Sequence, residues 1–253
     1  MAQSAATLRL TIGDLQIAHR LEVPNGEVPA TAVVPALQGL VNAVVEAAER
    51  QSVAAGHVIS CRKGCGACCR QLVPVSASEA ERLVGLIDAL PAPRRAALAE
   101  RFAATADALD RAGLRQALLD PTRRAGKTDR ELSSAYFALK VPCPFLEEES
   151  CSIHAERPLV CREYLVTSPA ELCAGQAQEG VTPVPVPKVS AAARGLEESR
   201  AGIDVSNRWL PLSLLLAWAA DRPRPAQRRV VKHTGPEWLQ RFLGRLAQKQ
   251  AQK

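Results

Sequence analysis

Cys61-Arg-Lys-Gly-Cys65-Gly-Ala-Cys68-Cys69 places four thiols within nine residues. A second group is spread more widely: Cys143-Pro-Phe-Leu146, Cys151-Ser-Ile-His154, Cys161-Arg-Glu-Tyr164 and Cys173. Together they account for all eight cysteines of the 253-residue chain. Thiolate is a soft ligand that suits zinc, copper(I) and iron–sulfur iron. The four thiols of the first group can reach one metal with little rearrangement, and Gly64 and Gly66 let the backbone curl there. The cysteines are therefore expected to assemble a loop-rich centre, with the rest of the chain arranged around it.

Outward from that centre, the chain reads as helices. Between the two cysteine groups, Ser76 with Glu79 matches a capping box at the head of a helix over 78–90. Pro91-Ala92-Pro93 punctuates, a long helix runs to about Leu119, and a short one follows near 128–139. The simplest purpose of these helices is to bring both groups together in space. Upstream, Leu37, Leu40, Val41, Val44, Val45 and Ala48 form an apolar stripe on a helix from Pro35 to about Ala55. Alternation over 7–23, with a turn at Gly13-Asp14, predicts a β-hairpin. Downstream, Pro158 opens a short helix holding Cys161 and Tyr164, and Cys173 lies in a segment that can be helical. Residues 175–187 read as a linker with an extended Val-Pro repeat at 184–187. Helices follow over 189–201, 211–220 and 236–249, with a break at 221–225 and fraying from Gln248 onward. The expected fold is mainly α, with a small N-terminal β-hairpin and a loop-rich metal-binding centre. It divides into residues 1–56 (hairpin and helix), 57–178 (cysteine region with a helical insertion) and 179–253 (helical extension).

Composition narrows the function classes. Hydrophobic residues make up 47% and aromatics only 4%, which favours helix packing over a β-sandwich. The net charge is +6, and basic runs occur at Arg123, Arg124, Lys127 and Arg130, and at Arg222, Arg224, Arg228, Arg229 and Lys232. No aromatics interleave with them and no nucleic-acid motif accompanies them, so nucleic acid is not an expected partner. Residues 1–10 lack a charged start followed by an apolar run, so no secretory signal is expected. The apolar stretch 209–220 is too short to cross a bilayer, and no membrane span is expected. A cytoplasmic location follows, where thiols stay reduced unless a metal holds them, which argues against disulfides.

Spacing bears on the metal. Paired C-x2-C knuckles typical of structural zinc are absent, and so is the full bacterial ferredoxin run, although Cys143-Pro144 matches its last two residues. The candidate ligands are Cys61, Cys65, Cys68, Cys69, Cys143, Cys151, Cys161 and Cys173. The expected cofactor is an iron–sulfur cluster ahead of zinc. Eight thiols suffice for two four-coordinate sites, or for one cubane cluster with some left over. In an extended segment Cys68 and Cys69 would point to opposite sides and serve different positions. His154 is a candidate ligand, Arg162 and Tyr164 are candidate hydrogen-bond donors to sulfur, and Arg157 is a candidate loop clamp.

The combined pattern resembles the YkgJ-like cysteine-cluster proteins, a family associated with zinc or iron chelation. The resemblance rests on Cys61, Cys65, Cys68 and Cys69, then Cys143-Pro-Phe-Leu146, then Cys151-Ser-Ile-His-Ala-Glu-Arg-Pro-Leu-Val-Cys161-Arg162. It covers roughly residues 58–175, with three residues rather than two in the first spacing. It implies metal binding, in a structural, electron-transferring or iron-handling role, without a settled reaction. Flagellin lysine methylases carry a related cluster, so the alternative is a cluster-dependent protein-modifying enzyme. No Gly-x-Gly-x-x-Gly nucleotide loop or paired acid–base constellation accompanies it.

Overall fold

Alternation along the first residues does produce a hairpin, longer than the pattern predicts. Strands β1 (Gln3–Ile12) and β2 (Leu15–Pro24) pair antiparallel, with Ile12 opposite Leu15. The computed structural model describes residues 2–175, 179–196, 209–222 and 230–251. On β2, Leu15, Ile17, Leu21 and Val23 turn one face inward at the two-residue period of a strand. They cover helix α1 (Val34–Ala54), whose stripe Leu37, Leu40, Val41, Val44, Val45 and Ala48 is buried as the periodicity predicts. Residues Ala30–Ala54 are long and apolar enough to cross a bilayer by length and composition. Here the inner face of that stretch is packed inside the fold.

The same core takes in residues from far along the chain. Strand β3 (Glu27–Pro29) pairs with β8 (Lys232–Thr234), and helix α9 (Gly235–Ala251) follows directly. Trp238 and Phe242 of α9 are fully enclosed, and the Trp238 indole donates to the Val28 carbonyl at 2.8 Å. The terminal helix therefore continues past Gln248, where fraying is expected.

Residues 179–187 are not a loose linker. Thr167 N donates to Thr182 O, Val184 N donates to Leu165 O, and Val166 bridges Pro183. Within the Val-Pro repeat Val186 N donates back to Val184 O at 2.7 Å, and both valines are buried in the first core. The expected helix over 189–201 is only α7 (Ser190–Ala193), and residues 197–201 lie outside those described.

A second body of helices sits between the cysteine groups. Helix α2 (Ala77–Asp88) starts at the expected Ser76–Glu79 capping box. The single long helix predicted from Pro93 to Leu119 is two: α3 (Ala92–Arg111) and α4 (Arg115–Leu119). Gly113 divides them. Its φ is +67°, and Leu114 N bonds back to Leu109 O at 2.9 Å, the six-to-one bond of a Schellman stop. Helix α5 (Asp129–Ala138) begins at a second capping box, Thr128 with Glu131.

Two small cores hold this body together. In one, Val75, Leu83, Ile87 and Leu98 meet Phe145, which stands edge-to-face with Phe102. The other gathers Leu109, Leu118, Leu132 and Tyr136 around Trp209 and Leu214. Strand β4 (Pro74–Val75) pairs with β7 (Leu210–Pro211), and the apolar segment predicted as one helix over 211–220 is a 3-10 turn, Leu212–Leu214, followed by α8 (Leu215–Ala220). The basic runs find acidic partners in part: Arg124 pairs with Asp129 and Arg222 with Glu81. Arg224, Arg228 and Arg229 lie outside the described residues.

Candidate metal centre

Three pieces of backbone deliver sulfur to one region. The first is the loop after α1. Ser60 N donates to Val166 O at 2.9 Å, which pins the loop's entry against the chain beyond Cys161. Gly64, at φ +84°, turns it. Cys68 and Cys69 lie in a 3-10 turn, Ala67–Arg70. They are therefore not in extended backbone, and their thiols meet each other instead of pointing to opposite sides.

The second piece begins at Cys143, whose N–H donates to the Cys69 carbonyl at 2.7 Å. Strands β5 (Leu146–Glu147) and β6 (Ser150–Cys151) then form a tight hairpin that sets Cys151 opposite Leu146. Its connection is Glu148-Glu149, with φ of +48° and +56°. Asn-Gly is the usual choice for such a turn, because non-glycine residues are strained there. Salt bridges fix the hairpin. Arg70 grips both carboxylate oxygens of Glu149, at 2.6 and 3.0 Å, and Arg94 and Arg101 reach from α3 to Glu147. Gly66 is required by closeness. A Cβ there would stand 2.5 Å from Glu149 Oε2 and 2.7 Å from Leu146 Cδ1.

The third piece is α6 (Leu159–Arg162), which carries Cys161 after Pro158 as expected, with Tyr164 just beyond its end. Its first free N–H, that of Leu159, donates to Glu79 Oε1 at 2.8 Å, while Glu79 Oε2 serves Ser76. One buried carboxylate thus caps two helices, a role the sequence reading credits to α2 alone. Glu163 does similar duty further on. Its two oxygens accept from Ser190 N and Oγ at 2.7 Å each, anchoring α7, and burial holds its carboxyl above the usual range despite those bonds. Cys173 is buried in a 3-10 turn, Ala170–Ala174, that packs on Ala67–Arg70.

The sulfurs sense one another. Cys161 lies near Cys143, Cys68 and Cys151, and Cys173 lies near Cys61, Cys68 and Cys65. The structure thus gathers at least seven of the eight candidate sulfurs, with Cys69 joined through its contact with Cys68. Residues 60–181 match the family model described as "CxxCxxCC: Putative zinc- or iron-chelating domain". These residues, just under half of the chain, are similar to a CxxCxxCC domain. No curated protein and no solved structure matches the chain.

Burial opposes thiolate formation at Cys61, Cys68, Cys143, Cys151, Cys161 and Cys173. Desolvation pushes the Cys143 thiol up to about 12. It also raises Cys161 well above an ordinary thiol, with the neighbouring sulfurs adding to the shift. Cys61, Cys151 and Cys173 are raised with desolvation as the main cause. At Cys68 the hydrogen bond with the Cys69 thiol leads, and desolvation follows. The Arg157 guanidinium works in the other direction on Cys61, Cys68 and Cys151. A coordinated soft cation supplies much more positive charge and deprotonates a thiol outright.

Buried donors around the sulfurs test whether such a group fits. Arg157 Nε is buried without a hydrogen-bond partner, and Gln71 Nε2 and Tyr164 Oη are buried beside each other and Cys173. Tyr164 faces Gln71 and Cys173, and Arg157 faces three of the thiols. Metal-bound thiolates and inorganic sulfides accept hydrogen bonds from such donors. The donor set and its orphan therefore fit a thiophilic metal or an iron–sulfur group. As the side chains stand, no three His, Cys, Asp or Glu groups among the described residues converge closely enough to hold one ion.

Three side chains singled out in the sequence have these partners in the structure. Arg162 lies near Cys151 and Cys161, but its hydrogen bonds go elsewhere. Its guanidinium bonds the carbonyls of Ala155 and Arg157 and the Asn42 side chain, so it ties the loop before Cys161 to α1. His154 is exposed and its Nε2 meets Arg157 Nη1 at 2.8 Å; that positive neighbour holds its pKa below the usual histidine range. The clamp role expected of Arg157 falls instead to Arg162, while Arg157 supplies the positive charge beside the thiols.

Proposed function

We propose that Cys61, Cys65, Cys68, Cys69, Cys143, Cys151, Cys161 and Cys173 hold an iron–sulfur cluster or zinc, with iron–sulfur favoured, and that the protein serves iron handling or electron transfer. The observation that carries this reading is the set of buried donors beside raised thiols: Arg157 Nε, which has no hydrogen-bond partner, and Tyr164 Oη, which lies against Cys173 and Gln71. Such donors suit an iron–sulfur cluster well, because its inorganic sulfides add acceptors beyond the cysteine sulfurs and its potential responds to them. When bound, the group would supply the positive charge that keeps the thiolates ionised, and the chain's loops and turns would position it. The helical insertion α2–α5 holds the Cys143–Cys151 hairpin through Arg94 and Arg101.

Anaerobic purification followed by elemental analysis and visible spectroscopy tests the reading. Stoichiometric iron with sulfide in a brown protein supports the favoured form, and stoichiometric zinc in a colourless one supports the other. A folded protein with all thiols free and neither metal refutes both.

A further inference from the structure

We propose that the cavity between α2, α8 and the turn Ala30–Val33 binds an uncharged, mainly apolar small molecule. The site is separate from the cysteines, and the proposal stands whether or not they hold a metal.

Helix α2 packs on both α8 and the Ala30–Val33 turn, and a space of about 690 Å3 remains between them. Sites for small molecules are concave, mostly apolar and roughly 300–1,000 Å3 in volume. The walls here include Pro29, Ala32, Val84, Leu86 and Trp218. The second core covers Val84, Leu86 and Trp218 only in part, and all three line the cavity. The Arg222 guanidinium lies over the Trp218 ring, 4.3 Å from its centroid, and occupies one face of the indole.

Charge selects the class of ligand. Among the described residues that line the cavity, the charged ones are Glu81, Arg82, Glu156 and Arg222, and they pair with each other. Arg82 bonds Glu156 at 2.9 Å, and Arg222 reaches Glu81 at 3.6 Å. The pairs cancel, so these walls offer no net charge to draw an ionised ligand out of water. Burying an ion without a counter-charge is costly.

Gly85 supplies an independent sign. It lies inside α2 and lines the cavity. Glycine weakens a helix interior relative to alanine. The backbone there is ordinary helix, and an added Cβ would meet nothing within 4 Å. Neither a left-handed turn nor close packing therefore requires the glycine. What its missing side chain does is leave the cavity open, at a cost to the helix, and local costs of this kind collect at functional sites.

N-phenyl-1-naphthylamine, an uncharged apolar fluorophore, tests the proposal on the full chain as purified. Saturable binding of one molecule per chain is expected. 1-Anilinonaphthalene-8-sulfonate carries the same rings with a fixed negative charge, and should displace the probe at least about tenfold less well. Equal or better displacement overturns the assignment to an uncharged ligand. Gly85→Phe places a ring in the cavity and should weaken probe binding at least about tenfold. Gly85→Ala should raise the melting temperature and keep most of the binding; a lower melting temperature would show that the helix needs the glycine and overturn the argument from it. Unchanged binding in a folded Gly85→Phe chain, or no saturable binding in the unaltered chain, overturns the site. Amide exchange on the unaltered chain locates the probe without any variant. Protection is expected at residues 30–33, 81–86 and 215–219, and protection only elsewhere overturns the assignment. Conversion of a dimer to monomer by the probe would assign the cavity to a second copy of the chain and overturn the small-molecule reading.

Discussion

Replacing Glu79 by alanine should destabilise the fold far more than the loss of an ordinary helix cap. The Glu79 side chain accepts from Ser76 N at 2.9 Å, Ser76 Oγ at 2.7 Å and Leu159 N at 2.8 Å, and the residue is 4% exposed. The Ser76 hydroxyl can rotate to another acceptor, but the two backbone donors cannot. Each buried N–H left without a partner costs about 1–3 kcal/mol, so Glu79→Ala should cost about 2–6 kcal/mol. That is a large share of the 5–15 kcal/mol that typically holds a domain. Glu79→Gln offers one oxygen in place of two and should lose roughly half as much. The exposed capping box at Thr128–Glu131 provides an internal control, because water can replace its carboxylate. Urea unfolding at fixed protein concentration measures all three variants, with the slope checked for constancy. Because Leu159 opens the helix that bears Cys161, Glu79→Ala should also lower bound metal per chain. A cost below about 1 kcal/mol, or one no larger than that of Glu131→Ala, would refute the dual-cap argument.

Gly66→Ala should force the Cys151 hairpin away from the first cysteine loop, because the new methyl would overlap Glu149 Oε2 and Leu146 Cδ1. Overpacking of this kind costs about 1–3 kcal/mol. In a double-mutant cycle with Glu149→Ala, measured by urea unfolding, the two losses should not add, since both act on the Arg70–Glu149 pair; full additivity would count against the shared contact. Acid should loosen the same hairpin. Arg70 holds the Glu149 carboxyl below the usual range. At Glu147, burial raises the carboxyl but the hydrogen bonds from Arg94 and Arg101 outweigh it, with a net lowering. A depressed carboxyl contributes stability above its unfolded pKa, about 4.5, that is lost as pH falls through the folded value. Amide exchange at residues 146–151, corrected for its intrinsic pH dependence, should therefore accelerate below that pH, and Glu149→Gln should blunt the change. An unchanged acid response in Glu149→Gln would remove Glu149 from the account.

Local signals in the sequence led to local structure. The α1 stripe from Leu37 to Ala48 and the Ser76–Glu79 box each lie within one or a few helical turns, and both are found where the pattern places them. The eight cysteines also pointed to a metal-chelating region, because soft-ligand chemistry leaves few other uses for so many thiols, and residues 60–181 match a zinc- or iron-chelating domain model. What could not be read depends on partners distant in the chain. Glu79 and Leu159 are separated by 80 residues, so nothing near either one announces the second cap. The Glu148-Glu149 turn carries no glycine or asparagine signal; arginines from two other elements hold the hairpin in place. The break at Gly113 depends on one backbone angle within an otherwise helical composition. Val184 and Val186 looked like a linker because their burial requires α1 and α9, residues that precede and follow them by many tens of positions.

The helical insertion between the two cysteine groups also has a consequence for biosynthesis. Cys143 leaves the ribosome more than seventy residues after Cys69. At about 5–20 residues per second, the leading four thiols spend about 4–15 s in the nascent chain before their counterparts emerge. During that interval they are open to peroxide and to thiophilic ions, so a metal that arrives then meets only the leading half of the thiol set.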